Sequence, residues 1–161
     1  MADSYRFRSQ INYGRRSIRI GRHLMNNDLR TNELENASAE QLAREIAKIL
    51  IEKKGINVEI YDVREKTSVT DFYVNVTGRS STHVASLADE VDYLIGLKGR
   101  NSARIEGRQG NFWILVDYLE VIVNVFDKEA REFYNFGRLM PEGSKVNIDD
   151  IIKEVDEKYG N

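Results

Sequence analysis

Phe112-Trp113-Ile114-Leu115-Val116-Asp117-Tyr118, then Leu119-Glu120, then Val121-Ile122-Val123-Asn124-Val125-Phe126 is the stretch whose reading decides the fold. Both halves are rich in β-branched and aromatic residues, so residues 112–118 and 121–126 read as strands. The link between them is long enough for a hairpin and far too short for a parallel crossover, so the pair is antiparallel. A period of two puts Phe112, Ile114, Val116 and Tyr118 on one face and Trp113, Leu115 and Asp117 on the other. The second strand repeats the division, with Val121, Val123 and Val125 against Ile122, Asn124 and Phe126. A sheet apolar on both faces has to be covered on both. Helices can supply all of that cover, or Trp113 can be left to anchor a partner, a role for which Trp is favoured.

Reading outward, residues 103–107 form a third short strand immediately upstream and complete an antiparallel meander. Before it, Val84, Leu87, Ala88, Val91, Leu94 and Ile95 recur at helical spacing, with Ser81 or Thr82 as cap and Gly96 and Gly99 as breakers. Earlier still, residues 56–63 and 72–76 alternate as strands. The first helix opens at Ser38-Ala39-Glu40-Gln41, a capping box in which the Ser and Gln side chains each satisfy an amide. It carries Leu42, Ile46, Ile49 and Leu50 on one face and ends at Gly55, beside Lys53 and Lys54. Downstream, Asp127 caps a short helix ending in Phe133 and Tyr134. Asn147 caps a last one with Ile148, Ile151, Ile152, Val155 and Tyr159 on a single face, which reads as a helix docked on its own domain. The order of elements implies an α+β fold: one mixed sheet of about five strands with helices packed on it.

The chain has 161 residues, 41% of them hydrophobic, enough for one sizeable core and short for two. A net charge of −2 excludes a global basic field that would drive nucleic-acid binding, so any such contact must be local. Charge divides the chain into three zones. Residues 1–36 hold seven Arg and four acids and read as a flexible arm, either a solvated leader or an RNA contact in which Arg6, Arg8, Arg15, Arg16, Arg19 and Arg22 meet phosphates. Residues 37–140 carry the folded domain. Residues 141–161 form an acidic tail with three Lys and six acids and contain the last helix. With no cysteine there is neither a disulfide framework nor a thiolate metal site, which fits a reducing compartment, the cytoplasm. No run approaches the roughly 18 apolar residues of a membrane span.

An enzyme needs nucleophiles and bases, and the sequence is poor in arrangements of them. His23 and His83 belong to no metal-ligand pattern, and no Gly-x-Ser-x-Gly elbow occurs, so neither a metal nor a bound cofactor is expected. The phosphate chemistry of nucleotidyltransferases is the stronger enzyme alternative, because Gly78-Arg79-Ser80-Ser81 follows a strand and opens a helix. In those enzymes two carboxylates follow such a turn and share magnesium. Here Glu90 and Asp92 have the spacing but sit about 200° apart around a helix, so the catalytic pair is missing.

Asp62-Val63-Arg64-Glu65-Lys66-Thr67-Ser68-Val69-Thr70-Asp71-Phe72, with Thr77-Gly78-Arg79-Ser80-Ser81-Thr82-His83-Val84, resembles the signature of the ribosomal silencing factor (Iojap) family. Its signature positions are Asp62, Thr70, Asp71, Gly78, Ser80, Ser81 and His83. Further matches run through Glu106-Gly107, Trp113, Val116-Asp117-Tyr118, Val125-Phe126 and Arg131-Glu132-Phe133-Tyr134 to Leu139. The resemblance implies a nucleotidyltransferase-like scaffold without catalytic carboxylates. It also implies binding to the large ribosomal subunit through its fourteenth ribosomal protein, blocking association with the small subunit. The contact surface it implies is Trp113, Leu115, Asp117, Tyr118, Asn124 and Arg131. Where the family has Gly-Asp in the hairpin turn and His two residues before the Phe, this chain has Leu119-Glu120 and Asn124, so a different turn geometry is expected. Ribosome assembly with the arm anchored on RNA, and a homodimer of the free protein, remain open at this level.

Overall fold

The computed structural model describes residues 29–160. The Arg-rich segment, its phosphate contacts and His23 lie outside the described residues, apart from residues 29–36. The first helix, α1 (Ala39–Glu52), begins with the expected capping box: Ser38 Oγ accepts from Gln41 N–H, and Gln41 Oε1 accepts from Ser38 N–H. Such a cap stabilises the helix by about 1 kcal/mol. Leu42, Ile46, Ile49 and Leu50 are all buried, worth roughly 2 kcal/mol each, so the buried face outweighs the cap. Gly55 is needed for a reason other than helix termination. The positive φ falls on Lys54, at 68°, while a Cβ on Gly55 would stand 2.5 Å from Val76 Cγ2. The glycine lets the chain turn into the sheet against Val76.

The strands are β1 (Ile56–Asp62), β2 (Phe72–Gly78), β3 (Arg104–Glu106), β4 (Trp113–Asp117) and β5 (Val121–Asp127), in the order β1-β2-β5-β4-β3. Neighbours are antiparallel except β2 and β5, which are parallel. The sheet is thus mixed, as expected, and β3-β4-β5 is the expected meander. Between β2 and β3 runs α2 (Ser81–Leu97). Its cap is Ser80, one residue earlier than the sequence suggests, with its hydroxyl accepting from His83 N–H at 3.1 Å. Three hydroxyls stand in a row there, and the point where β2 releases the chain decides which of them caps. The helix also runs through Gly96, and Gly99 at φ 99° ends the turn beyond it.

α1 and α2 pack on the face of Val74, Val76, Ile114, Val116, Val123 and Val125, forming the main core. The opposite face is partly covered by α3 (Lys128–Tyr134) and the short 3-10 turn Phe136–Leu139. The last helix, α4 (Asp149–Tyr159), lies on α1, with Ile148, Ile151 and Val155 buried and ion pairs from Arg44 to Asp150 and Lys48 to Glu154. Ile152 and Tyr159 fall outside that stripe and are exposed. Asn147 sits one place outside the cap position, accepting from Asp149 N–H at 2.8 Å, and Ile148 holds the N-cap position itself. Residues 144–146 bond to β1 through Asp62 N–H to Ser144 O and Val146 N–H to Ile60 O, which covers part of an otherwise open sheet edge.

The β4–β5 turn keeps a positive φ although it lacks glycine. Leu119 has φ 74°, and Glu120 N–H donates to Tyr118 O at 3.0 Å, the pattern of the rarer γ-turn. Asp117 Oδ1 accepts Leu119 N–H at 2.7 Å and the Thr70 hydroxyl donates to Leu119 O at 3.0 Å, so neighbouring groups force the conformation on a residue ill suited to it. A left-handed φ costs an L-residue about 1–2 kcal/mol, and glycine gives back roughly half of that in unfolded-state entropy. Because Leu119 is 66% exposed, little burial is lost with it. Leu119→Gly is therefore expected to raise stability by about 0.5–1 kcal/mol, read as a higher urea midpoint at unchanged slope.

Candidate functional site

Trp113, Leu115 and Asp117 leave β4 on the face away from α1 and α2, and β5 places Asn124 and Phe126 beside them. The indole N–H of Trp113 donates to Asn124 Oδ1 at 3.0 Å, and Asn124 Nδ2 donates to Asn75 Oδ1 at 3.0 Å. This ladder crosses β4, β5 and β2 and fixes the orientation of both amides, because a flip of either would set donor against donor. Asn75 and Asn124 are fully enclosed, whereas Trp113 is half-buried. Its ring packs on Phe126 at 5.1 Å and on Tyr134 at 4.7 Å, so α3 supports one side of the indole and the other remains accessible.

Arg131 reaches down from α3 to the sheet. It donates to Thr77 Oγ1 at 3.0 Å and to the carbonyl of Asn57 at 3.1 Å, and pairs with Glu59 at 2.7 Å. Burial pushes the Glu59 carboxyl up, but hydrogen bonds from Lys145 and Tyr61 and the Arg131 charge outweigh it and hold the group below its ordinary value. Burial, reinforced by the hydrogen bond to Glu59, pushes the Tyr61 hydroxyl up to about 12. The network pins α3 to the β1 edge. Asp117 caps the hairpin turn and pairs with Arg104 at 3.2 Å. Tyr118 belongs to the opposite face, inside the main core. Of the six residues singled out from the sequence, Trp113, Leu115, Asp117, Asn124 and Arg131 gather on one side. Trp113 and Leu115 reach its surface, and Asp117 and Asn124 lie beneath.

Phe112 departs from its expected place. β4 begins one residue later, at Trp113, and Phe112 is 50% exposed instead of joining Ile114 in the core. Together with Phe133, 81% exposed, and Tyr134 it makes an apolar rim beside Trp113, lining a shallow hollow with Ala130. In the sequence Phe133 and Tyr134 read as the end of a short helix and not as part of the contact surface. The available signal was two adjacent aromatics on a seven-residue helix, which cannot bury both.

The signature residues do architectural work. Gly78 lies against α2, where a Cβ would stand 2.8 Å from Val84 Cγ2, and Ser80 caps the helix that Ser81 begins. The Nδ1 of His83 accepts from Arg79 N–H at 3.0 Å, and its Nε2 faces the Lys53 carbonyl at 3.1 Å. Those partners require the Nε2–H tautomer and leave neither ring nitrogen for Ser80 or Ser81. Thr70 and Asp71 tie the start of β2 to the hairpin turn through Leu119 O and Glu120 O, while Asp62 pairs with Arg64 at 2.6 Å. Glu90 pairs with Lys53 and Asp92 accepts from Ser102, so the two carboxylates serve different neighbours. No helix among the described residues is long and apolar enough to cross a membrane.

Comparison with known proteins places this geometry. A ribosomal silencing factor RsfS of Halalkalibacterium halodurans is 26% identical over 115 residues, covering 71% of this chain and 98% of that protein. One of Haemophilus influenzae is 35% identical over 86 residues, covering 53% and 84%. A crystal structure of a Chromobacterium violaceum protein superposes with a TM-score of 0.62 at 25% identity, covering 64% of this chain and 86% of that one. The model of the family described as ribosomal silencing factor during starvation matches residues 36–160, from the turn before α1 to the end of α4. Sheet order, signature turn and hairpin all fall inside that match, and the chain belongs to the ribosomal silencing factor family.

Proposed function

We propose that this chain silences translation as a binding protein, and not as an enzyme, in the cytoplasm. It occupies the large ribosomal subunit through the fourteenth ribosomal protein and sterically blocks association with the small subunit. The observation that carries the reading is the family match over residues 36–160. Trp113 and Leu115 present the contact, Asn124 and Arg131 position it, and Asp117 and Tyr118 hold the ends of the hairpin. A half-buried Trp supported from behind has the geometry of an interface anchor, since its rotamer is already restricted before binding. The apolar rim of Phe112 and Phe133 extends the same surface.

Leu115→Arg is the informative variant, because Leu115 is only half-buried and the ladder beneath it is left intact. It is expected to fold normally, to weaken cosedimentation with purified large subunits by more than about tenfold, and to restore joining of the two subunits. Wild-type cosedimentation by the folded variant would move the contact off this face. Failure of the wild-type chain to cosediment at all would remove the ribosome as its target.

A further inference from the structure

We propose that the crevice at the carboxyl ends of β2 and β5 binds the phosphoryl group of a small phosphomonoester, held by Arg79, Lys128 and Arg131. β2 and β5 are parallel neighbours whose chains then part: β2 leads into α2 on one face, and β5 leads into α3 on the other. In open α/β sheets this divergence opens a ligand crevice outside the strand ends. A cavity of about 400 Å³ lies there, lined by Ile56, Thr77, Arg79, Lys128, Arg131 and Glu132 among others. Its size falls within the range of small-molecule sites, roughly 300–1,000 Å³.

The lining brings three cations and one acid together. Arg131 is held by Thr77, Glu59 and the Asn57 carbonyl, so its guanidinium is already oriented. Arg79 and Lys128 are exposed at the rim and have no ion-pair partner among the described residues. The Asn57 carbonyl reaches Arg131 because β1 carries an irregularity between Ile56 and Glu59 that sets Asn57 at φ 52°. Strain and bulges of this kind recur at ligand clamps. Three amides around the start of α2 are already engaged, Arg79 N–H by His83, His83 N–H by Ser80 Oγ and Val84 N–H by Ser80 O. Recognition falls to side chains, with the Arg79 guanidinium fork and the Lys128 ammonium taking phosphoryl oxygens and Arg131 adding an N–H that Thr77, Asn57 and Glu59 leave free.

The same census limits the ligand. Glu132 lines the crevice, Asp127 and Glu129 stand near it on the β5–α3 segment, and the whole chain is at −2. Because Arg131 is already paired with Glu59, Arg79 and Lys128 are the cations left to a ligand, a number that suits one phosphomonoester and disfavours a polyanion. None of the lining residues carries an aromatic ring, so nothing there stacks a base, and Ile56 supplies the apolar contact.

The test titrates the full chain at low salt with AMP and with inorganic phosphate, by calorimetry and by amide NMR. Saturable AMP binding is expected, with a dissociation constant of about 0.1–1 mM and shifts concentrated at Gly78, Arg79 and Lys128. Inorganic phosphate should compete. Arg79→Ala and Lys128→Ala, both at exposed positions, should each weaken binding severalfold, and together by more than tenfold, with melting temperature unchanged. The proposal is overturned by absence of saturation at 10 mM probe, by shifts located elsewhere, or by unchanged binding in the double variant. Tighter binding of an RNA oligomer than of AMP at these residues would also overturn it. Arg79 and Lys128 lie outside the proposed ribosome contact, so their alanine variants should cosediment with large subunits as the wild type does, and the two readings fail separately.

Discussion

Trp113→Ala is expected to lower the unfolding free energy by about 3 kcal/mol, the lower part of the range for removing a large aromatic, because the indole is only half-buried. Two losses combine. The ring gives up its contacts with Phe126 and Tyr134, which lie at 5.1 and 4.7 Å, and Asn124 Oδ1 loses its donor. Trp113→Phe separates them: it keeps a ring against Phe126 and removes the N–H, and should cost about 1 kcal/mol. Urea unfolding of the three proteins measures both. A loss below 1 kcal/mol for the alanine variant would mean that the indole is not part of the packed face. The comparison also matters for the proposed function, because an alanine here alters the shape of the proposed docking surface as well as a contact on it. The phenylalanine variant is the fairer probe of the contact alone.

Asn124→Leu is expected to destabilise by about 3 kcal/mol despite similar volume. Asn75 Oδ1, fully enclosed, loses its donor, and the Trp113 N–H loses its acceptor. Each stranded group costs about 1–3 kcal/mol, less for the indole, whose partly open position gives it access to water. The second change, Asn75→Leu, should then be far less harmful in the Asn124→Leu background than alone. Asn75 Nδ2 is itself buried without an acceptor among the described residues, so replacing both amides removes the polar cost along with the bond. A double-mutant cycle should give a coupling of about 1–2 kcal/mol, whereas additive costs would show that the ladder does not act as a unit.

The ladder explains what Asn124 supplies. The position needs one group that accepts from the indole on β4 and donates toward β2, and an amide does both. Similar reasoning applies to Leu119. The turn needs a positive φ, and Asp117 and Thr70 impose it through hydrogen bonds, so glycine is convenient there without being required.

What the sequence determined by itself was whatever depends on short-range order. The alternation of the hairpin, the capping box at Ser38, the stripe from Val84 to Ile95 and the short link at Leu119-Glu120 specified strands, helices and an antiparallel meander. Those signals are local, because each rests on residues a few positions apart. The sequence also showed both hairpin faces to be apolar, and thereby that both had to be covered. Only the tertiary structure decided how. The parallel pairing of β2 with β5 set Asn75 beside Asn124, 49 positions away, and carried the Trp113 bond into the sheet. The fold also made Ser80 the cap among three hydroxyls, left Phe112 and Phe133 exposed, and set Arg79 and Lys128 on one crevice. None of this has a periodic signature, since a hydrogen bond or a rim contact between distant residues depends on where two strands meet and not on what precedes either of them.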